Sequence, residues 1–189
     1  YIVYEGRMEV NEVSNNFKVN YVCNKAIIGI ARGNIDALSD VYDSIGKQVY
    51  FIAYSVLKNH HDAEDVLQEV LCEIVKCAHT YKPMSNARAW ILSIARNQAL
   101  KYLRDKKMHK SLDDIENDPQ FSYDVSFISN MTLFDALNSL TDDERQVVLL
   151  HIESEMKFRE IADFLCITSD AAQKRYQRAI KKLKAYYSN

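Results

Sequence analysis

The sequence predicts an all-α fold: two small helical domains joined by an acidic linker, the second domain with a helix-turn-helix. Its 189 residues include only four glycines and two prolines, and no glycine follows Gly46. A sheet protein of this length needs several glycine-rich hairpin turns, whereas helices joined by capped polar loops do not. The same scarcity excludes a glycine-rich phosphate-binding loop.

Charge and cysteine content narrow the classes of function. Lysine and arginine number 24 against 26 acidic residues, a formal net charge of −2, so any attraction to nucleic acid must be local. The sequence shows neither an apolar run of membrane-spanning length nor a secretory signal, so we expect a cytoplasmic protein without membrane insertion. Its four cysteines form no CxxC pair and lie near no histidine at zinc-finger spacing. We therefore expect no metal and no other cofactor.

Apolar periodicity predicts three helices in the first half of the chain. Residues 38–56 carry apolar side chains at helical spacing and form one long amphipathic helix. Asp62 is expected to cap a second helix over residues 62–78, and Ser85 a third helix over residues 86–107.

Composition divides the chain into domains. Residues 1–21 are aperiodic and stay unassigned, and residues 22–107 form the first predicted domain. Residues 108–130 hold five acidic residues against one lysine, as expected of a linker, although a long surface loop within one domain has the same composition. Residues 131–189 form the second predicted domain.

The second domain carries the signature of a helix-turn-helix. Thr141 and Glu144 have the spacing of a capping box, which predicts a helix start at that point. Phe158, Ile161, Ala162 and Leu165 then form an apolar stripe, and after residues 166–168 a longer helix begins near Ser169. Two helices joined by so short a turn indicate a helix-turn-helix.

The last predicted helix is strongly basic. Residues 171–187 contain no acid and six basic residues: Lys174, Arg175, Arg178, Lys181, Lys182 and Lys184. A helix of this kind suits the major groove of DNA, with cations for phosphates and Arg, Gln or Lys for base edges. A basic helix end is also often merely solvated, so the prediction depends on the preceding helix and turn.

Two further surfaces have alternative interpretations. On the third helix Trp90, Asn97, Lys101 and Arg104 share an outward stripe that suits unstacked bases and phosphates, unless Trp90 packs into the domain. On the second helix a polar seam lies outside the apolar face and would fit either a partner helix or plain solvent: Asp65, Gln68, Glu69, Cys72 and Lys76.

No catalytic or metal constellation stands out. His61, Asp65 and Glu69 are spaced by four residues, but a di-metal helical bundle needs Glu-x-x-His motifs on facing helices. Since no Ser/His/Asp or Cys/His set exceeds chance, we expect that the protein is not an enzyme.

Several stretches, in this order, resemble the small two-domain sigma factors of bacterial RNA polymerase, the extracytoplasmic-function group. They are GNIDAL at 33–38, DAEDVLQEV at 62–70, ARAWI at 87–91, IARN at 94–97 and FREIA at 158–162, followed by Arg175, Arg178 and Ala179. The resemblance covers about residues 22–107 and 131–187, which are most of the chain.

The resemblance implies binding rather than catalysis, with the polymerase supplying the chemistry. The first domain would bind core RNA polymerase through Asp65, Gln68 and Glu69. Its third helix and the loop before it would open and read the minus-ten promoter element through Arg88, Trp90, Arg96, Asn97, Lys101 and Arg104. The second domain would read the minus-thirty-five element through Gln173, Lys174, Arg175, Gln177, Arg178 and Lys181.

The implied partners are core RNA polymerase, promoter DNA and an anti-sigma factor. The free chain is expected to be monomeric. It is expected to associate with the nucleoid only as part of the holoenzyme. Two residues depart from the family pattern. Cys166 stands where glycine is frequent in the turn, so we expect either a different turn or a strained left-handed conformation at Cys166. Asp170 introduces an acid near the expected phosphates unless it serves the helix dipole. The alternative is a free-standing dimeric helix-turn-helix regulator, which would bind a palindromic site without polymerase.

Overall fold

The computed structural model describes residues 5–110 and 131–188, with side chains from 16 to 106 and from 133 to 188. In these ranges all regular structure is helical, which confirms the all-α prediction. The helices are α1 (Glu5–Ala31), α2 (Leu38–Leu57), α3 (His60–Cys77), α4 (Ala87–Lys110), α5 (Met131–Asn138), α6 (Asp142–Ile152), α7 (Phe158–Leu165) and α8 (Ser169–Tyr187). Most of the expected acidic linker lies outside the described residues.

The first helical group, α1 to α4, contains a helix that sequence periodicity did not assign. Helix α1 begins at Glu5, inside the segment left open above. From Val19 onward it buries a stripe of side chains at helical spacing, Val19, Cys23, Ala26, Ile27 and Ile30. The stripe occupies only the second half of the helix, so a window over residues 1–21 contains little of it.

Two predicted helix caps are wrong. The amide of Asp62 donates to Oδ1 of Asn59 at 3.0 Å, so Asn59 caps α3. The Asp62 carboxylate instead accepts hydrogen bonds from Lys106 at 2.6 Å and from the Tyr102 hydroxyl at 2.9 Å. One turn into the helix, its short side chain faces the end of α4 and ties the two helices together.

Helix α4 also begins with an asparagine rather than the predicted serine. Oδ1 of Asn86 accepts from the amide of Ala89 at 2.9 Å, the usual geometry of an N-cap. Ser85 lies one residue further from the helix, and its amide donates to the Lys82 carbonyl instead.

The second helical group, α5 to α8, begins with the predicted capping box. The Glu144 amide donates to Oγ1 of Thr141, and Oε2 of Glu144 accepts from the Thr141 amide at 3.1 Å. Lys182 of α8 donates to the same oxygen at 2.7 Å. Burial of this carboxylate raises its pKa, but the hydrogen bonds from Lys182 and Thr141 outweigh burial and leave the pKa below its usual value.

The helix-turn-helix is present as predicted. Helix α7 ends at Leu165, residues 166–168 turn, and α8 begins at Ser169 with Oγ1 of Thr168 accepting from the Ala171 amide at 3.1 Å. Cys166 occupies the left-handed region at φ 55°, which is the second of the two outcomes expected at this position.

The two groups pack against each other along α2. The ring of Phe134, on α5, contacts the ring of His60 at 4.0 Å between centroids and the ring of Tyr54 at 5.0 Å. The Tyr50 hydroxyl lies 2.6 Å from Nδ1 of His60. His60 therefore stands where three helices meet.

No helix in the described part of the chain is both long and apolar enough to cross a lipid bilayer.

His60 makes stability sensitive to pH. Burial lowers its pKa below the usual value of 6.5, and the neighbouring His61 lowers it further. The folded chain therefore prefers neutral His60, while the unfolded chain takes up a proton as the pH falls below about 6.5. The free energy of unfolding should be steady above this pH and should decline below it.

Urea unfolding at about pH 7.5 and about pH 5.5 tests this prediction. His60→Gln should reduce the loss of stability between the two pH values. His79→Gln, at an exposed histidine, should leave that loss unchanged. An equal loss in the wild type and His60→Gln would assign the pH dependence to other groups.

Candidate nucleic-acid interface

Helix α8 presents one continuous polar and basic face to solvent. Ala172 and Ala179 are fully buried against the rest of the second group. The residues on the outer side are all exposed, and they comprise five of the six predicted DNA contacts: Gln173, Lys174, Gln177, Arg178 and Lys181. Two glutamines among cations provide both the hydrogen-bonding groups that read base edges and the charge that binds phosphates.

Arg175, the sixth predicted contact on this helix, points elsewhere. Its Nη2 lies 2.9 Å from a carboxylate oxygen of Asp143 on α6, and only 24% of its side chain is exposed. Together with the Lys182–Glu144 pair it ties α8 to the start of α6. Sequence reasoning grouped Arg175 with the other cations because charge alone does not reveal direction on a helix.

Asp170 has a partner that accounts for an acid at this position. Its carboxylate lies 2.8 Å from Nζ of Lys174, one turn further along α8. An acid in the first turn also interacts favourably with the positive end of the helix dipole. Both side chains are exposed, so the pair is available for exchange with a phosphate.

Arg159 is a cation that the sequence analysis missed. It is exposed on α7, the first helix of the helix-turn-helix. In helix-turn-helix proteins this helix crosses the DNA backbone, where a cation contacts phosphate. The available signal was its position outside the apolar stripe of Phe158, Ile161, Ala162 and Leu165.

Helix α4 carries a second candidate surface on the first group. Asn97, Lys101 and Arg104 are exposed on its outer side. Trp90 is half-buried and packs against Tyr81, with 5.2 Å between ring centroids. The stripe predicted from the sequence therefore exists, but its aromatic member also packs into the group.

Arg96, also predicted to contact DNA, is only half-exposed. Its guanidinium lies over the ring of Phe164 at 5.6 Å from the centroid. Phe164 belongs to α7, so this cation of the first group is covered by the second.

Arg88, another predicted DNA contact, is buried with 5% of its surface exposed. Its Nε donates to Oε1 of Gln48 at 3.1 Å, and its buried Nη2 has no hydrogen-bond partner among the described residues. Burial lowers the pKa of its guanidinium, an effect opposed by Glu160 and Glu155 of the second group. In this arrangement Arg88 offers no contact to DNA.

The loop before α4 is supported by α1. Oδ1 of Asn24 accepts from the Tyr81 hydroxyl at 2.8 Å and from the Met84 amide at 3.0 Å. Oδ1 of Asn20, one turn away, accepts from the Arg88 amide at 3.2 Å. Met84 adopts a positive φ of 65° and is 88% exposed at the tip of the loop. Two asparagines one turn apart were the available signal for this positioning role.

The polar seam on α3 is open to solvent. Asp65, Gln68 and Glu69 are all exposed, and they border an open groove that also includes Lys101 and Tyr102 of α4. Two carboxylates on one helix face, beside apolar parts of the groove, suit a partner helix that carries basic and apolar side chains.

Within the described ranges no three His, Cys, Asp or Glu side chains converge closely enough to hold a metal ion.

Comparison with known families matches both helical groups. Residues 41–108 match the family Sigma-70 region 2, and residues 131–183 match the family Sigma-70, region 4. The two matches follow each other in chain order and together cover more than half of the sequence.

Similar full-length proteins carry the same description. The chain is 24% identical over 157 residues to the ECF RNA polymerase sigma factor SigX of Bacillus subtilis, covering 77% of this chain and 81% of SigX. It is 25% identical over 158 residues to the ECF RNA polymerase sigma factor SigM of the same organism, covering 80% of this chain and 95% of SigM.

Solved structures share the fold. CnrH, in complex with the cytosolic domain of CnrY, matches with a TM-score of 0.61 at 20% identity over 88% of this chain and 97% of CnrH. The sigma factor RpoE from Bartonella quintana, in complex with the anti-sigma factor NepR, matches with a TM-score of 0.62 at 21% identity over 78% of this chain and 94% of RpoE.

Proposed function

Because the chain belongs to the ECF-type sigma factors, which act in transcription initiation, we propose that it binds core RNA polymerase and directs it to promoters by reading the minus-ten and minus-thirty-five elements. The observation that carries the proposal is the exposed face of α8, the second helix of the helix-turn-helix. Glutamines and cations share this face. We propose that residues 22–107 bind polymerase and the minus-ten element. Residues 131–189 would bind the minus-thirty-five element.

The second group would read duplex DNA. Gln173 and Gln177 supply donors and acceptors to base edges, and Arg178 at the centre of the face has the geometry for guanine or phosphate. Lys174 and Lys181 add phosphate contacts that position the helix without reading sequence. Arg159 on α7 would meet the backbone on the other side of the turn.

The first group would hold the minus-ten element as single-stranded DNA. Lys101 and Arg104 follow one another at i, i+3 on the outer side of α4 and suit a phosphate backbone, while Asn97 offers an amide to a base. The loop at Met84 stands close to the start of α4 and is held by α1, so its backbone position is defined before DNA arrives.

The seam on α3 is the proposed polymerase contact. Asp65 and Glu69 lie on the same exposed face one turn apart, with Gln68 between them. Chemistry would then belong to the polymerase, and this chain would contribute binding and opening of DNA.

We further propose that an anti-sigma factor binds the chain when it is inactive. Both CnrH and the Bartonella RpoE are described in complexes, with CnrY and with the anti-sigma factor NepR respectively. The exposed seam and the exposed face of α8 are the two surfaces whose coverage would stop initiation.

The decisive experiment mixes the purified chain with sigma-free core polymerase from its source organism. We expect co-elution on gel filtration, and specific initiation when genomic DNA is supplied. Absence of both with an active core, together with a stable dimer that binds duplex DNA alone, would identify a free-standing regulator instead.

Arg178→Ala should reduce initiation at a promoter that depends on its upstream element, by about fivefold or more, because one base-edge or phosphate contact is worth about 1–3 kcal/mol. Thermal stability should not change, since Arg178 is exposed.

Arg175→Ala is the matched control on the same helix. It removes the same charge but also the ion pair with Asp143, so it should cost at most about 1 kcal/mol of stability and affect promoter use less. If the two substitutions reduce initiation equally, the claim that the outer face of α8 contacts DNA while Arg175 does not would be wrong.

Asp65→Ala combined with Glu69→Ala should weaken binding to core polymerase by about tenfold or more, because both carboxylates would lie within one interface. Removal of the same two charges from exposed positions on α2, Asp40→Ala with Asp43→Ala, provides the control. Titration of fluorescent core measures both. Identical affinities for the two double variants would exclude the seam as the polymerase contact.

A further inference from the structure

We propose that the outer face of α1 is a further binding surface for single-stranded DNA, and that it holds the unpaired promoter strand beyond the minus-ten element. The juxtaposition that carries the proposal is a pair of exposed aromatic rings beside a row of cations, next to the loop at Met84. The inference rests on the proposed function, because it takes the minus-ten element to be held as a single strand on α4.

Two aromatic side chains of α1 are exposed to solvent one turn apart. Phe17 is 74% exposed and Tyr21 is 63% exposed. The buried stripe of the helix, which includes Val19 and Cys23, lies on the opposite side, so the two rings take no part in the core of the first group. Their faces are available to a flat ligand such as a base.

The spacing of the two rings suits unstacked bases. Residues four apart on an α-helix are separated by about 6 Å along its axis. Neighbouring bases of one duplex strand are separated by about 3.4 Å, so two stacked bases cannot each meet one ring. An extended strand can place one base on Phe17 and the next on Tyr21. Stacking of this kind accepts any base, because every base has a π-face.

A row of cations follows the rings along the same helix. Lys18, Lys25 and Arg32 are seven residues apart, close to two full turns, so they lie on one line. All three are exposed. Residues 16–35 contain no acid, although acids outnumber lysines and arginines in the chain as a whole. This segment therefore attracts phosphates along its length without repelling them, as a site for single-stranded nucleic acid requires.

The loop before α4 borders the ring pair. Oδ1 of Asn24, three residues beyond Tyr21, accepts from the Met84 amide at 3.0 Å and from the Tyr81 hydroxyl at 2.8 Å. The ring of Tyr81 packs in turn against Trp90, a residue of the predicted minus-ten contact. The outer faces of α1 and α4 are therefore joined through one layer of side chains, so a single strand can run from one face to the other.

The direction of the strand follows from the proposed function. The helix α8 would read the minus-thirty-five element as duplex, so the DNA on that side of the minus-ten element is paired. The unpaired strand then continues on the other side, toward the start of transcription. We therefore assign the face of α1 to the nucleotides that follow the minus-ten element on that side.

The test uses the holoenzyme, formed from the full chain and core polymerase, with a promoter found in the initiation experiment. Fork-junction DNA from this promoter ends either directly after the minus-ten element or with a single-stranded extension of about six nucleotides. Fluorescence anisotropy measures both affinities. The extension should raise the affinity of the wild type by about fivefold or more for each of two stacked bases. An extension of abasic sites, which keeps the phosphates, should lose most of this gain.

Substitution of the rings tests the stacking directly. Phe17→Ala and Tyr21→Ala should each reduce the gain from the extension by about fivefold or more, whereas Tyr21→Phe should keep it. Affinity for the short DNA, affinity for core polymerase and thermal stability should not change, because both rings are exposed. Tyr42→Ala, at a ring on α2 that is 43% exposed, is the matched control and should leave the gain unchanged.

Substitution of a lysine tests the phosphate contacts separately. Lys25→Gln should lower the slope of log affinity against log salt by about 0.7 with the extended DNA, because one phosphate contact is lost. The slope with the short DNA should stay the same, which a general change in the charge of the protein would not produce.

Three results would overturn the proposal or its premise. Equal affinity of the wild type for short and extended DNA, or a full gain in the Phe17→Ala, Tyr21→Ala double variant, would exclude α1 as a strand contact. Weaker binding of that variant to core polymerase without DNA would identify the face as a polymerase contact instead. Failure of the proposed function is distinct: the wild type itself would form no complex with core, and the assignment to the promoter strand would fall with it.

Discussion

The buried guanidinium of Arg145 is the constraint on which the arrangement of the two helical groups depends. A charge placed in the protein interior is tolerated only with hydrogen-bond acceptors around it. Here they come from the end of α2, the turn before α6 and the first turn of α6. The two bonds to the Ser55 carbonyl are the ones that hold α6 on α2, because the other acceptors belong to the same group as α6. The position of the helix-turn-helix relative to α4 follows, since α7 and α8 pack on α6.

The lysine and arginine side chains of this protein fall into two groups: some contact another helix, and others point into solvent. Lys106 and Lys182 pair with carboxylates of another helix, and Arg145 donates to a carbonyl of α2. Lys101, Arg104 and Arg178 are exposed on outer helix faces. A protein with a formal net charge of −2 therefore presents two basic surfaces. Acids occupy the seam on α3 and helix starts, so charge is separated by surface, and each surface suits a different partner.

The features that were predicted correctly from the sequence are those that depend on residues close together in the chain. The Thr141–Glu144 capping box, the turn at Cys166 and the exposed face of α8 depend on neighbours within a few residues, and the structure contains all three. Prediction from the sequence failed where residues far apart in the chain determine the position of a side chain. Asp62 does not cap α3, because its carboxylate accepts a hydrogen bond from Lys106 of α4. Arg175 does not share the outer face of α8, because it pairs with Asp143 of α6. Arg88 is buried and donates to Gln48, a contact between residues 40 positions apart that no spacing along the chain reveals.

The contacts at the boundary between the two helical groups differ in strength. The exposed ion pairs at the boundary contribute at most about 1 kcal/mol each, and a hydrogen bond to a buried guanidinium about 1.5–3 kcal/mol. Buried apolar side chains of both groups also join in one hydrophobic cluster, so the boundary continues the core and carries polar contacts at its edges.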